Sequence, residues 1–269
     1  MINRSIREKI YRIKWLHRLL IYVCHNVGAG KCRKIAKQND YHKMLIQIKD
    51  SRKTNRCFII GNGPSLTTTD LDLIKNEDCF ATNGIFHVFD KTVWRPKYYC
   101  LIDRYASYTP EMIRDLEVEY VFLGSYYFLH NKVIRQDAIC IRERVFWNRR
   151  KYHFSDDMEK YFVGSRTVSF FAMQLAVFLG YKEIYLLGFD NEYKYEKQSN
   201  GKVIDSGVKL AHFYRDDNPR NIVGEPLEME KAYLSFKEYA DFRGILVRNV
   251  TRGGKLEVFE RTKLEDVVQ

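Results

Sequence analysis

A glycine turn directly after a short apolar run is the feature that most constrains the fold of this chain. Residues 56–66 read Arg-Cys-Phe-Ile-Ile-Gly-Asn-Gly-Pro-Ser-Leu. A strand that is apolar at every position is typical of a parallel sheet covered on both faces. A glycine turn ahead of a helix lets backbone N–H groups approach a phosphate, and Pro64 suits the first turn of such a helix. G-x-G is only a fragment of the dinucleotide fingerprint, so a tight connection without a ligand is an equal alternative.

Short apolar runs alternate with helical patterns along most of the chain. Strands are predicted at 57–60, 79–83, 97–102, 120–123, 138–141, 183–188 and 245–249, and helices follow the glycine turn and at 167–179 and 228–242. This alternation predicts an α/β fold with a doubly wound, mostly parallel Rossmann-like sheet. Residues 142–162 and 191–227 lack such periodicity and are predicted to be loop or lid insertions.

Short polar side chains follow most of the predicted strands. They are Asn62, Asn83, Asp103, Asp190 with its neighbour Asn191, and Asn249. Ligands of open α/β sheets bind outside the carboxyl ends of the strands. A single Asn in a turn is unremarkable, but the whole set predicts a polar ligand crevice at this edge.

The positive charge is concentrated at the start of the chain. Residues 1–56 hold 15 Lys and Arg against 3 Asp and Glu, and the remainder holds 30 against 31, which accounts for the net charge of +11. The pattern divides the chain into a basic amphipathic helical arm, 1–54, and a catalytic domain, 55–269. The arm's apolar stretch is too short to span a bilayer. We expect the arm to lie on an anionic membrane surface, with packing on the body or on another subunit as the alternative. No nucleic-acid partner is predicted, and the oligomeric state is left open.

Metal and disulfide chemistry have little support in the sequence. The six cysteines form no C-x-x-C pair, which favours reduced thiols in a cytosolic protein. Asp70-Leu71-Asp72 matches a D-x-D string, but carboxylates also favour the first turn of a helix, and we expect that role here. No bound metal and no obligatory cofactor are predicted.

Three other polar residues are candidates for chemistry. His212 lies in a long polar loop and could accept a proton from a hydroxyl, since its ordinary pKa is near neutral. Arg166, in Gly164-Ser165-Arg166-Thr167 at a predicted helix start, and Arg252 could each bind a phosphate, with capping or ion pairing as the alternative.

Two longer stretches resemble known families. Residues 59–66 (Ile-Ile-Gly-Asn-Gly-Pro-Ser-Leu) and 179–190 (Leu-Gly-Tyr-Lys-Glu-Ile-Tyr-Leu-Leu-Gly-Phe-Asp) look like the bacterial CMP-sialic-acid-dependent sialyltransferases of the lipooligosaccharide type. The same turn, with Thr-Arg-Gly-Gly-Lys-Leu-Glu-Val-Phe at 251–259, is even more similar to the 6-hydroxymethylpterin pyrophosphokinase-like family. The resemblance covers about residues 56–262 and excludes the arm.

The sialyltransferase resemblance implies a GT-A-like variant of the sheet and an inverting, metal-independent transfer from a CMP-linked sugar. In that family the histidine that acts as general base follows an Ile-Gly pair, and this chain has Val223-Gly224-Glu225 at the comparable place. Either His212 or Glu225 is therefore the expected base, and Tyr193 and Tyr195 are candidates to assist the leaving phosphate. Thr167, with Ser169 close by, matches the hydroxyls that face the donor. The expected nucleotide-binding residues are Gly61, Asn62, Gly63, Pro64, Ser65, Asn83, Asp103, Gly164, Ser165, Arg166, Thr167 and Asp190.

The resulting prediction is a glycosyltransferase of a bacterial cell-surface polysaccharide or lipooligosaccharide pathway. It would act at the cytoplasmic face of the inner membrane on a glycan or glycolipid acceptor. One alternative is an ATP- and Mg²⁺-dependent pterin pyrophosphokinase, with Asp103 and Asp190 as the candidate magnesium ligands. Another is a non-catalytic nucleotide-binding protein of glycan assembly.

Overall fold

A parallel sheet of eight strands forms the centre of the protein. The computed structural model describes residues 14–38, 40–102, 108–131, 135, 137–146, 151–199, 201–208, 212–214 and 223–268. The strands of the sheet are β1 (Arg56–Ile60), β2 (Cys79–Thr82), β3 (Tyr98–Leu101), β4 (Tyr120–Gly124), β5 (Ile139–Ile141), β8 (Glu183–Leu187), β12 (Leu246–Asn249) and β13 (Glu260–Arg261). The other strands described are β6 (Glu143–Arg144), β7 (Phe162–Val163), β9 (Tyr195–Lys197), β10 (Val203–Asp205) and β11 (Val223–Gly224).

The order of the strands confirms the doubly wound α/β prediction. They lie in the order β13-β12-β8-β1-β2-β3-β4-β5, and every adjacent pair is parallel. From β1 the chain proceeds outward to β5 and then returns to the other side of β1 with β8. The direction of winding thus changes between β1 and β8, which is where ligands of such sheets bind.

The apolar strands are explained by a core on each face of the sheet. Cys57 and Ile59 of β1 lie in one buried cluster, and Phe58 and Ile60 lie in the other. Successive side chains of a strand point to opposite faces. The four residues of β1 that follow Arg56 lie between two cores and are therefore all apolar, as the sequence predicted.

Seven helices are assigned within the described residues. They are α1 (Lys14–Gln38), α2 (Tyr41–Asp50), α3 (Thr68–Leu73), α4 (Pro110–Arg114), α5 (Ser125–His130), α6 (Val168–Leu179) and α7 (Pro226–Arg243), and a 3-10 helix covers Asn83–Val88. The most buried is α6, whose amino end is capped by the Thr167 side chain and whose carboxyl end stops at Gly180 with φ of 92°. A positive φ at this position is one that glycine adopts without strain.

The described part of the basic segment is packed on the domain, which is one of the alternatives that the sequence left open. Tyr41, Leu45 and Ile48 of α2 are buried in the same cluster as β1. The Tyr41 hydroxyl donates to the Ala138 carbonyl at 2.9 Å, and the buried Cys32 Sγ of α1 donates to the Cys140 carbonyl at 2.7 Å. The described part of the segment is therefore joined to the sheet edge at β5.

The two segments predicted as insertions also contain ordered structure. In 142–162, β6 pairs with β7, and Tyr152 and Met158 are buried in the core, which differs from the expectation of a lid. In 191–227, β10 and β11 pair with β9 in a small separate sheet. The described part of this second segment brings His212, Phe213 and Tyr214 back to the main sheet.

The amino-terminal edge of the main sheet carries an ion pair and several hydrogen bonds around a buried charge. Asp78, which precedes β2, is 1% exposed, and its Oδ1 lies 3.3 Å from the Lys97 ammonium. Its Oδ2 accepts hydrogen bonds from the Lys53 N–H at 2.9 Å and the Tyr181 hydroxyl at 2.7 Å. Lys97 also donates to the carbonyl of Ser51 at the end of α2. This network fixes the chain between α2 and β1 to the sheet.

Candidate functional site

The glycine turn is held against the end of β8 by its own backbone. Gly61 N–H donates to the Leu187 carbonyl at 2.8 Å, and Gly63 N–H donates to the Gly188 carbonyl at 3.0 Å. A Cβ atom at Gly61 would collide with the Gly188 carbonyl, and one at Gly63 would collide with the Asp190 carboxylate. Close packing between the two strand ends is therefore sufficient to require both glycines.

Asp190 joins the two strand ends through Ser65. Its Oδ1 accepts from the Ser65 N–H at 3.1 Å, and its Oδ2 accepts from the Ser65 hydroxyl at 2.8 Å. Burial raises the pKa of Asp190, and the hydrogen bonds from Ser65 oppose that rise. The N–H groups of Gly61, Gly63 and Ser65, which were expected to face a phosphate, all donate within the protein.

Pro64 is not in the first turn of a helix, which corrects that prediction. The helix α3 begins at Thr68 and is capped by Thr67, whose hydroxyl accepts from the Asp70 N–H at 3.2 Å. Asp70 completes a capping box and accepts two hydrogen bonds from the Arg252 guanidinium, both at 2.6 Å. Asp70 thus has the helix-end role that we expected, and Arg252 is an ion-pair partner.

Three asparagines at the ends of neighbouring strands carry buried oxygens without a hydrogen-bond partner. Asn62 follows β1, Asn83 follows β2 and Asn191 follows β8, and the Oδ1 of each is buried and unpaired. The Asn62 amide Nδ2 donates to the Thr82 carbonyl at 3.0 Å, which directs its oxygen away from that contact. Buried polar atoms are nearly always paired, so three such oxygens on neighbouring strands are unusual.

Two of these asparagines also have a left-handed backbone. The φ angle is 52° at Asn83 and 54° at Asn191. Residues other than glycine adopt this region at an energetic cost, and such residues cluster at functional sites. Asn83 comes directly after β2, and Asn191 comes after the Gly188-Phe189-Asp190 segment that follows β8.

Aromatic rings from the 212–214 segment cover the turn beside Asn62. Phe213 N–H donates to the Asn62 carbonyl at 3.1 Å. The ring of His212 stacks on Tyr214 with centroids 5.0 Å apart and an angle of 3° between the ring planes, and His87 lies 5.3 Å from Tyr214 on centroids. The structure therefore brings His212, one of the two candidate bases, to the same edge as the glycine turn.

Tyr214 of this aromatic group packs closely on the turn after β2. A Cβ atom at Gly84 would collide with the Tyr214 hydroxyl oxygen. The Tyr99 hydroxyl donates to the Asn83 carbonyl at 2.7 Å, and burial raises the pKa of Tyr99. Tyr99 and Tyr214 were not among the predicted site residues, because only the folded sheet places them beside Asn83.

The start of α6, a second predicted nucleotide site, already faces an anionic side chain. Arg166 Nε lies 3.4 Å from the Glu225 carboxylate, and Lys197 Nζ lies 3.6 Å from it. The Ser165 hydroxyl accepts from the Thr167 N–H at 3.2 Å. Gly164 is required by the nearby Glu143 carboxylate, with which a Cβ atom would collide. Glu225, one of the two candidate bases, is thus held between two cations.

The two candidate tyrosines, Tyr193 and Tyr195, lie just before and at the start of β9 in the small sheet. The Tyr193 hydroxyl donates to the sulfur of Met229 at 3.1 Å, and burial raises the pKa of Tyr193 well above its usual range. Tyr195 is the first residue of β9. Asp103 lies outside the described residues.

The carboxylates of the described residues are scattered and not clustered. In that part of the chain, no group of three or more His, Cys, Asp or Glu side chains could hold a metal ion. Asp190, one of the two candidate magnesium ligands, uses both oxygens to accept from Ser65.

A family model described as "6-hydroxymethylpterin diphosphokinase MptE-like" matches residues 31–196. The chain belongs to this MptE-like family. The matched region includes the strand ends that carry Asn62, Asn83 and Asn191. It begins within α1, so it also includes part of the basic segment that the sequence resemblance excluded.

The other comparisons give no further relationship. No curated protein and no solved structure matches the chain. The resemblance to sialyltransferases therefore has no support from them, whereas the resemblance to the pyrophosphokinase-like family is confirmed.

Proposed function

We propose that this MptE-like protein is a nucleotide-dependent transferase that binds its nucleotide at the carboxyl-terminal edge of the sheet. The observation that carries the proposal is the set of buried, unpaired oxygens on Asn62, Asn83 and Asn191. An unpaired buried acceptor costs about 1–3 kcal/mol. A ligand that supplies N–H or O–H groups removes that cost, and the ribose hydroxyls and base amino groups of a nucleotide are such donors.

The reaction we favour is transfer of a diphosphoryl group from ATP to a hydroxymethyl group, which is the chemistry in the family's name. The acceptor oxygen attacks the β-phosphorus, the bond from that phosphorus to the α,β-bridging oxygen breaks, and AMP leaves. The acceptor's proton passes to a base. His212 is our candidate, because Phe213 holds its segment at the Asn62 turn and because its ordinary pKa is near neutral.

Glu225 is the weaker of the two candidate bases in this proposal. Its carboxylate lies near both Arg166 and Lys197. A carboxylate that lies between two cations is engaged in structural contacts. Its contribution would then be to hold β9 and the start of α6 together.

A second candidate is glycosyl transfer from a CMP-linked sugar in the synthesis of a lipopolysaccharide, capsule or similar glycan. The engagement of both Asp190 oxygens with Ser65 favours it, because such a reaction needs no magnesium carboxylate at this position. In this reaction His212 would take the proton of the acceptor hydroxyl, and CMP would leave from the anomeric carbon. A glycan or glycolipid acceptor and a location at the cytoplasmic face of the inner membrane belong to this proposal.

Nucleotide binding and product formation separate the two reactions. The full chain is titrated with ATP with and without Mg²⁺, and with CMP and CDP, while its unfolding temperature is followed. AMP release with 6-hydroxymethylpterin as acceptor is then measured. We expect stabilisation by ATP and AMP release that depends on the pterin. Stabilisation by CMP or CDP alone would favour glycosyl transfer, and no response to any nucleotide would contradict both.

The role of His212 is tested by replacement with alanine. We expect His212→Ala to lower turnover by about 10²–10⁴-fold, the usual contribution of a general base. His153→Ala is the matched control, because His153 is exposed and its ring lies beside Phe146, in the 142–162 segment. Equal turnover in the two variants would remove His212 from the mechanism.

A further inference from the structure

The helix α1 exposes apolar side chains on the side that faces away from the protein. Leu19, Val23 and Val27 are 40%, 47% and 51% exposed. Their spacing of four residues places them along one side of the helix. Three large aliphatic side chains in a row, each close to half exposed, form a continuous stripe and not a scattered set of single contacts.

The opposite side of the same helix is the side that packs on the domain. Gly28 and Cys32 are buried, and Cys32 is fixed by its hydrogen bond to the Cys140 carbonyl. At 100° per residue, these two positions lie roughly opposite to Leu19, Val23 and Val27. The apolar stripe is thus not the face through which α1 contacts the described part of the body.

Exposed cations continue the stripe toward the end of the helix. Lys31, Arg33, Lys34 and Lys37 are all exposed. Lys34 and Lys37 lie on the same side of the helix as the stripe, and Lys31 and Arg33 flank it. The sequence of α1 contains no Asp or Glu. The outer side of α1 is therefore apolar in its first half and positive in its second half.

We propose that the outer side of α1, formed by Leu19, Val23, Val27, Lys34 and Lys37 with Lys31 and Arg33 at its borders, docks onto the surface of an anionic lipid bilayer. Aliphatic side chains enter the boundary between headgroups and acyl chains, and the cations pair with anionic headgroups. A second copy of this helix contains no Asp or Glu, so it offers the cations no opposite charge and is a poorer occupant of the same surface. None of the helices in the described residues is long and apolar enough to cross a membrane.

Vesicle co-sedimentation of the full chain tests this proposal. Point variants are used because α1 and α2 are packed on the domain, and their removal would expose its core. Vesicles of phosphatidylcholine alone are compared with vesicles that contain one quarter phosphatidylglycerol. We expect binding to the anionic vesicles that weakens as salt is raised, and binding to the neutral vesicles at least tenfold weaker.

Two double variants examine the two halves of the surface. Each cation near an anionic bilayer contributes about fivefold in affinity, so Lys34→Glu with Lys37→Glu is expected to weaken binding at least 25-fold. Val23→Asp with Val27→Asp is expected to weaken binding at least tenfold, because it removes the inserted apolar area.

The matched control variants make the same changes in charge at exposed residues outside α1. Lys75→Glu with Lys91→Glu alters two exposed lysines, and Val93→Asp with Phe242→Asp alters two exposed apolar residues. We expect both controls to bind like the wild type, and all variants to keep its unfolding temperature within a few degrees. The proposal would be overturned if the controls lost binding equally, or if neutral vesicles bound equally well. It would also be overturned if no lipid binding were found and the wild type formed a dimer that Val23→Asp with Val27→Asp dissociates.

Discussion

The buried Asp78 carboxylate at one edge of the main sheet and the buried side-chain oxygens of two asparagines at the other edge differ in their partners. At the amino-terminal edge, the Asp78 carboxylate lies against the Lys97 ammonium and accepts hydrogen bonds from Lys53 and Tyr181. At the carboxyl-terminal edge, Asn62 and Asn83 bury oxygens that have no partner. The same parallel strands connect the two edges, so the difference reflects the residues placed just before and just after each strand.

We propose that the Asp78 network stabilises the fold and that the edge with the unpaired asparagines binds the ligand. A paired buried charge is costly to disturb, because removing one partner leaves the other uncompensated. An unpaired buried acceptor already carries a cost, and the folded chain tolerates it. Removal of the Asp78 carboxylate and removal of the unpaired Asn83 oxygen should consequently have opposite effects on stability.

The largest effect on stability is expected at the amino-terminal edge. Asp78→Ala should lower the free energy of unfolding by about 3–5 kcal/mol, because Lys97 would remain buried without its partner. Urea denaturation measures the loss. Asp137→Ala is the control, since Asp137 pairs with Arg135 but its side chain is 56% exposed, and we expect a loss below about 1 kcal/mol. Similar losses in both variants would contradict the contrast between buried and surface pairs.

A smaller effect is expected where the glycine turn contacts the end of β8. Gly63→Ala places a Cβ atom against the Asp190 carboxylate and should cost about 1–3 kcal/mol through overpacking. Gly30→Ala is the matched change, because a Cβ there meets no atom within 4 Å. Within the helix α1 it should gain up to about 1 kcal/mol. Thermal unfolding of the pair compares the two; a stabilised Gly63→Ala variant would show that the turn is not closely packed.

At the carboxyl-terminal edge we expect a substitution that increases stability. Asn83→Gly removes an unpaired buried oxygen and places glycine where φ is 52°, for a gain of about 1 kcal/mol. Asn249→Ala is the contrasting change, because the Asn249 side chain bonds both Leu256 and Thr251. It should lose about 1–3 kcal/mol. Chemical denaturation of both variants would reveal the opposite signs, and a loss at Asn83 equal to that at Asn249 would indicate that Asn83 is a structural residue.

The smallest effect is a difference in pH dependence between two carboxylates near the glycine turn. Burial raises the pKa of Asp190, so the folded chain binds its proton more tightly, and stability falls as pH rises from about 3.9 through the folded pKa. Burial also acts to raise the pKa of Asp70, but hydrogen bonds from Arg252 and Thr67 lower it overall. The contribution of Asp70 is thus present above pH 3.9 and is lost as pH falls through its folded pKa.

Asparagine variants separate these two contributions. Relative to the wild type, Asp190→Asn should gain stability as pH rises, and Asp70→Asn should lose it. Unfolding temperatures between about pH 3 and pH 7 measure both trends, with the pH range set by the ordinary pKa of aspartate. Parallel curves for the two variants would contradict the opposite pKa shifts.

The fold could be predicted from the sequence because its signals are local. After their first residue, β1 and β8 are apolar at every position, because each strand has a core on both faces of the sheet. Their polar ends could be predicted to meet, because the carboxyl ends of parallel strands share one edge. Asn62 and Asn83 were identified in this way.

The remaining features depend on contacts between distant parts of the chain. The sequence around Arg252 and Arg166 favoured phosphate binding by these two side chains. In the structure Arg252 pairs with Asp70, and Arg166 pairs with Glu225. The position of Tyr214 beside Gly84 follows from the return of a long segment, which no local pattern encodes. The burial of Tyr41 likewise depends on the sheet edge at β5.

Calorimetric titration of nucleotide into the wild type and Asn83→Gly tests the central claim most directly. ATP with Mg²⁺ and CMP are each titrated into both proteins and into Asp137→Ala, whose substitution lies on an exposed ion pair. We predict that one nucleotide binds the wild type and Asp137→Ala equally. Loss of one hydrogen bond to the ligand, about 1–1.5 kcal/mol, should make binding to Asn83→Gly about tenfold weaker although that variant is more stable. Equal affinity in all three proteins, or no binding to the wild type, would contradict a nucleotide site at the asparagine edge.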